Sequence, residues 1–309
     1  MSLAVIDGGL QTTVQDLGRN GFAHLGISAS GAADSFSLRL GNLLVGNAEG
    51  EAGLEMTLIG GSYQFNRDAF VSLTGSYFLN DLDGEDLPFY ENVHVEQGQI
   101  INIGPSRDGA RCYLTVQGGF DIELVLGSKS THLMTNMGGF EGRPIKKGDE
   151  IKFGDARQDM EPVRIKQAIE MDCSTLRITK GIQHDWFDPD AWKLLQNNKF
   201  TVSHTFDRMG VRTAGQSIKT IKDTEVLTEG IPAGAVQIPG NGQPIISFVD
   251  HQTTGGYPKI ANVITADLCK VGQLMPQDEF QFQLVSMAEA ESLRLAQESF
   301  INDLKYSAP

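Results

Sequence analysis

At 309 residues, with 40% hydrophobic and 21% charged positions, the chain is long enough for two ordinary domains with cores of their own. A net charge of −14, from 25 basic and 39 acidic residues, disfavours a nucleic-acid backbone or an anionic membrane as partner. Cys112, Cys173 and Cys269 show no paired spacing, which argues against a disulfide scaffold or a zinc site. The N-terminus has no basic patch running into an apolar core, and no apolar run approaches the roughly 20 residues of a membrane span. The expectation is a soluble, cytoplasmic protein.

Glycine-rich turns between short runs of β-branched and aromatic residues predict a mainly β chain with a few short helices. Residues 3–6 read as a strand before Gly8-Gly9, and Asp16 and Arg19 are placed to form a latch across a glycine turn. Ser30 and Asp34 open a predicted helix with Phe36, Leu40, Leu43 and Leu44 on one face and Gly46-Asn47 at its end. Asp34 serves either as first-turn stabiliser or as ligand group. Strands follow at 55–59, 62–65 and 70–73. The spaced acids at 80–86 approach a calcium loop but fail its spacing and lack its final glutamate, so a solvated hairpin is expected. After a strand at 111–117, Gly127-Ser128-Lys129-Ser130-Thr131 looks like the tail of a phosphate loop, yet its lysine does not directly follow a glycine. The polar, weakly periodic stretch 154–171 is the expected boundary, giving domains at 1–160 and 171–309.

The second half begins with a strand at 175–179 and a helix start at Asp188-Pro189, an N-cap followed by proline at the first position. A strand at 200–206 leads to Asp207-Arg208-Met209-Gly210. Arg208 suits a carboxylate ligand, or equally holds its own loop by pairing with the neighbours of Asp207. A tight turn at 238–244 presents the apolar run 245–249, which reads as a buried strand. Its end carries Asp250, His251, Gln252, Thr253, Thr254, Gly255, Gly256, Tyr257, Pro258 and Lys259. A solvated hairpin turn is the plain reading. The crowding of a carboxylate, an imidazole, an amide, two hydroxyls and an ammonium at one strand end makes this the candidate site instead. Ser286 and Glu289 form a capping box for a terminal helix with Ala290, Leu293, Ala296, Phe300 and Leu304 on its core face. Residues 13–21 echo 201–210, and 109–119 echo 242–256, the outline of an internal duplication.

Six scattered histidines give no metal-ligand spacing, so no metal is expected. There is no serine nucleophile elbow and no nucleotide-binding loop. No Met-Lys dipeptide occurs, so no biotin should be carried on this chain. A polypeptide without such machinery reads as one part of an assembly.

The string from Asp250 to Lys259 closely resembles a segment of the family of the 5-oxoprolinase C-type subunit, also labelled allophanate hydrolase subunit 2-like or biotin-dependent carboxyltransferase-like. Gln15-Asp16-x-Gly18-Arg19-x-Gly21, Ser30-Gly31-Ala32-x-Asp34, Gly118-Gly119-x-Asp121 with Gly127-Ser128-x-Ser130-Thr131, and Arg208-Met209-Gly210 extend the resemblance over nearly the whole chain. It implies two tandem cyclophilin-like β-barrel domains. It further implies a complex that uses ATP to open the lactam of 5-oxoproline, built with a B-type subunit that has a cyclophilin-like domain and with a hydrolase-like third subunit. In that chemistry Asp250 would orient or deprotonate the ring amide, and Lys259 or Arg208 would bind carboxylate or phosphate. Gln252, Thr253 and Thr254 would supply donors, with His251, Gly255, Gly256, Tyr257, Ser30 and Asp34 completing the substrate-binding set. Three positions depart from the family: Ile182 replaces a proline, Val211 a tyrosine and Gln277 a glycine. Two other activities stand beside the first: a carboxyltransferase of the urea carboxylase type, whose matching stretch runs Asp-Gly-Pro-Ser-x-Gly-Gly-Phe, and a regulator that binds a kinase-inhibitor protein.

Overall fold

A computed structural model describes residues 2–154, 160–165, 171–205, 207–222 and 226–307, the side chains through 304. The expected boundary at 154–171 falls largely outside the described residues. Two compact units emerge: Met1–Arg19, Ser30–Ile169 and Phe300–Pro309 in one, Asn20–Ala29 and Glu170–Ser299 in the other. Among the described residues the chain is mainly β with four α-helices, as its turn-rich pattern predicts.

The first unit holds two five-stranded antiparallel sheets. One runs Glu150–Lys152, Ser2–Asp7, Ser62–Phe65, Ile100–Ser106, Phe78–Leu82; the other Thr12–Gln15, Gly53–Thr57, Arg111–Val116, Ala69–Gly75, Asn92–Val95. Leu3, Val5, Tyr63, Phe65 and Ile101 of the first sheet and Leu54, Val71, Leu73 and Leu114 of the second share one core. Helix α1, Ser35–Leu44, starts at Asp34, whose carboxylate accepts from the Ser37 N–H at 2.9 Å and the Ser37 hydroxyl at 2.6 Å. Leu40 and Leu44 are buried in that core and Phe36 and Leu43 pack against it, the face expected from their spacing. The acidic turn at 80–86 is a hairpin end: Asp81 accepts from the Gly84 N–H and Asp83 from the Ile100 N–H.

The second unit is a closed seven-stranded barrel. Its order is Thr175–Lys180, Lys259–Val263, Ala235–Gln237, Ile245–Ser247, Gly210–Ala214, Lys199–Val202, Glu279–Leu284, and the last strand pairs in parallel with the first. Closure leaves no unpaired sheet edge to cap. In Glu279–Leu284, buried Phe280 and Phe282 alternate with exposed polar residues, and their rings pack edge to face at 5.1 Å. Helix α2, Pro189–Asn197, has the predicted cap: the Ala191 N–H donates to Asp188 at 2.8 Å, with proline at the first turn. Helix α3 spans Leu268–Gln273, and α4 spans Met287–Ser307, where Ser286 Oγ accepts from the Glu289 N–H. Ala290 and Leu293 pack on Ile264, Ala266 and Val285 of the second unit, whereas Phe300, Ile301 and Leu304 belong to the core of the first. Ala296, expected on the buried face, is exposed; the buried stripe passes through Ile301 instead.

Gln277 explains itself in the last turn. The Asp278 N–H donates to the Met275 carbonyl at 3.1 Å, with Pro276 second and Gln277 third at φ +77°. That is a type II turn, whose third position calls for positive φ and therefore glycine. Left-handed backbone costs a side-chain-bearing residue about 1–2 kcal/mol, partly offset because glycine gains entropy on unfolding. Gln277→Gly should therefore stabilise by about 0.5 kcal/mol, and Gln277→Val, β-branched at the same φ, should destabilise. Thermal melts of the two variants check the order, and a Val variant as stable as the Gly variant would remove the strain argument.

Candidate functional site

Everything from Arg208 to Lys259 in the candidate set lies in the second unit. The strand Ile245–Ser247 pairs with Gly210–Ala214, and beyond it the chain keeps bonding to the same neighbour: the Phe248 N–H donates to Met209 O and the Asp250 N–H to Arg208 O at 2.8 Å. This register sets Asp250 opposite Arg208. Asp207 fixes the other side of the turn by accepting from the Met209 and Gly210 N–H groups. The result is a two-point ion pair, Nε to Oδ2 at 2.8 Å and Nη2 to Oδ1 at 3.3 Å, with Arg208 only 7% and Asp250 5% exposed. Arg208 therefore pairs with Asp250 on the neighbouring segment, a partner other than the neighbours of Asp207 expected from the sequence. A carboxylate gripped on both oxygens by a guanidinium is an orienting and anchoring group.

After Asp250 the chain turns (His251 N–H to Phe248 O) and becomes one side of a small ribbon. Thr254–Gly255 pairs with Glu229–Gly230, flanked by the Ile231 N–H on Thr253 O and the Val226 N–H on Gly256 O. His251 Nδ1 donates to the Gln252 carbonyl at 2.8 Å. Gln252, Thr254 and Tyr257 are exposed along this ribbon, His251 and Thr253 half-buried.

The ribbon delivers Pro258 and Lys259 to the barrel strand Lys259–Val263. Lys259 is 1% exposed, and its Nζ lies 2.7 Å from Glu229 Oε1. Gln183 completes the group. Its Nε2 donates to the same Glu229 oxygen at 2.6 Å, and its Oε1 accepts from the Lys259 N–H at 3.0 Å. The Gln183 N–H in turn donates to the Lys259 carbonyl at 3.1 Å. Such close backbone contact requires glycine at 181, where a Cβ would meet the Lys259 carbonyl oxygen at 2.3 Å. Lys259 and, secondarily, Gln183 hold the Glu229 carboxyl below the usual glutamate range against an opposing effect of burial.

Ser30 and Asp34 lie in the first unit. Ser30 adopts φ +57° and is buried; Asp34 is fully buried and caps α1, the first-turn role. The phosphate-loop-like string is also used internally. The Ser128 and Ser130 hydroxyls and the Lys129 N–H converge on Asp16 at 2.5–2.7 Å, and Arg19 donates to the Ser130 carbonyl. Asp16 thus fills this small anion cradle. Among the described residues no group of three or more His, Cys, Asp or Glu is arranged to hold a metal, and no helix is long and apolar enough to cross a membrane.

Glu229 escapes the sequence reading, and Gln183 enters it only as the end of Gly181-Ile182-Gln183, with no role assigned. They stand 30 and 76 residues from Lys259 and reach it from a ribbon outside the barrel and from the turn after the strand Thr175–Lys180.

The family model for carboxyltransferase domain, subdomain A and B, matches residues 25–284. The chain belongs to this family. It is 36% identical to the C-type subunit of 5-oxoprolinase from Haemophilus influenzae over 306 residues, covering 97% of both chains. With the Escherichia coli counterpart it shares 37% over 305 residues, 98% of both. The Kluyveromyces lactis urea amidolyase structure superposes with a TM-score of 0.92 at 30% identity over 98% of this chain. This carboxyltransferase-family chain spans only 20% of that much longer protein.

The family's Asp-Arg-Met-Gly segment and its Asp-His-Gln segment thus meet through Arg208 and Asp250. Asp250→Asn should destabilise by about 3 kcal/mol, because it removes the charge that a buried guanidinium grips at two points. Replacing both residues, with Arg208→Met and Asp250→Leu, should cost less than Asp250→Asn alone. Denaturant melts of the single and double variants decide; an Asp250→Asn protein as stable as the parent would return the carboxylate to a purely chemical role.

Proposed function

We propose that the chain is the C-type subunit of an ATP-dependent 5-oxoprolinase complex that opens 5-oxoproline to glutamate. The carrying observation is its end-to-end match, at 36% and 37% identity, with two C-type subunits of the same length class. The assembly is completed by a B-type subunit and a hydrolase-like third subunit, and it works in the cytoplasm. ATP activates the lactam by phosphoryl transfer to the carbonyl oxygen, releasing ADP. Water then adds to that carbon, the C–N bond breaks as the ring nitrogen takes up a proton, and a second water releases phosphate. Most of the catalytic demand in such a sequence is positioning and charge compensation. The groups offered here fit it: a buried ammonium at Lys259, the exposed amide and hydroxyl of Gln252 and Thr254, and the imidazole of His251. Asp250 and Arg208 hold the loop that carries them.

A second reading, carboxyl transfer of the urea carboxylase type, has the 0.92 TM-score superposition in its favour. Its loop signature differs, since this chain has Gln252-Thr253-Thr254-Gly255-Gly256-Tyr257 in place of Pro-Ser-x-Gly-Gly-Phe.

The purified chain alone should neither hydrolyse ATP nor release glutamate from 5-oxoproline. Co-expressed with B-type and hydrolase-like subunits, it should co-elute with the B-type subunit on size exclusion and the mixture should show ATP-dependent glutamate release. Turnover by the single chain, or separate elution at micromolar concentration, would sink the multisubunit reading. Carboxyl transfer from carboxybiotin by the same mixture, without glutamate release, would install the second.

A further inference from the structure

Lys259 and Gln183 aim two donors at one point. The Lys259 ammonium and the Gln183 amide nitrogen lie 2.7 Å and 2.6 Å from the same oxygen, Glu229 Oε1. Neither donor is arranged by Glu229 itself. Gln183 is fixed by Lys259: with its amide oxygen taken by the Lys259 N–H, its NH2 has to face outward. Lys259 sits at the head of a barrel strand, 1% exposed. Its Nζ is ion-paired with Glu229 Oε1 at 2.7 Å. An ammonium carries three donors, so a buried one met by a single carboxylate oxygen has capacity left for a ligand.

Glu229 differs from both donors. Its side chain is 34% exposed, so it lies on the solvent side of Lys259. Its backbone belongs to a two-residue ribbon strand outside the barrel ladder. The anion is thus carried on a short ribbon outside the barrel, while the ammonium is carried on a barrel strand.

We propose that Lys259 and Gln183 form a preformed carboxylate-binding site, that Glu229 fills it as an internal stand-in, and that the substrate carboxylate displaces Glu229 on binding. The ligand class is a small monocarboxylate, and naming 5-oxoproline as that ligand rests on the proposed 5-oxoprolinase reading. Swapping one carboxylate for another keeps the buried ammonium paired throughout, so binding never passes through an uncompensated charge. Glu229 then sets specificity: a neutral ligand cannot replace it, and a weakly held anion cannot compete with it.

The test uses the full-length chain and calorimetric titration at pH 7 with 5-oxoproline, its neutral amide and acetate. If Glu229 occupies the site about nine-tenths of the time, Glu229→Gln should bind 5-oxoproline roughly tenfold more tightly than the parent, with the neutral amide unaffected. Gln183→Met, which removes one donor and leaves Glu229 in place, should bind 5-oxoproline more weakly. Unchanged or weaker carboxylate binding by a folded Glu229→Gln protein overturns the proposal. Should that variant melt early, Glu229→Asp, one methylene shorter, replaces it with the same expected direction. Acetate binding that tightens in Glu229→Gln while 5-oxoproline binds no variant supports the carboxylate site and sinks the 5-oxoproline reading. Failure of both anions to respond to Glu229→Gln overturns the site itself.

Discussion

A buried ammonium governs the second unit's loop region. Moving a lysine head group out of water costs several kcal/mol unless a counter-charge follows it, whereas a neutral hydrogen bond nets only about 1 kcal/mol. Lys259, at the first position of a barrel strand, therefore dictates more than its own surroundings. It requires a carboxylate within reach, which Glu229 supplies, and hence a ribbon that carries Glu229 back over the strand. It also requires its backbone to be held, which Gln183 does in both directions. Gln183 in turn reaches the strand only because residue 181 has no side chain.

The opposite end of the same loop is fixed by the same physics with different groups. Arg208 and Asp250 are both buried and pair at two points, and their backbones are bonded as well. With both ends fixed by charge, the stretch between them needs no core of its own. Residues 251–257 are accordingly left to solvent or half-covered, with His251 bonded to its neighbour's carbonyl. Loops that bind ligands on rigid scaffolds have this division of labour: anchored ends, presented middle.

Local chemistry was readable in the amino-acid string because its causes lie within a few residues. Asp34 and Asp188 cap helices they directly precede, Ser286 accepts from Glu289, and Pro276-Gln277 forms a turn whose type follows from its members. The strand run into Asp250 was equally visible from its apolar block. What pairs with what was not. Nothing near Lys259 announces Glu229, which a ribbon outside the barrel brings to it, and nothing near Asp250 announces its pairing with Arg208, which antiparallel register across the barrel sets. The terminal helix shows the same limit on a smaller scale. Its periodicity admits Ala296 to the apolar face, but the buried stripe drifts to Ile301, because the surfaces it meets are set by distant segments.

Net charge gives these pairings a further logic. With an excess of 14 negative charges, the chain repels small anions at long range, and an anionic ligand gains only where local positive groups are desolvated enough to outweigh that field. Exposed lysines are screened and contribute little. Buried donors keep their strength, and in both units they are met by the chain's own carboxylates: Asp16 within the Ser128–Ser130 donors, Glu229 before Lys259 and Gln183. The two cases differ in what holds the acid. Asp16 follows directly on the strand Thr12–Gln15 and is enclosed, so its cradle is a structural joint. Glu229 is partly exposed on a two-residue strand, so the same chemistry there has room to exchange one carboxylate for another.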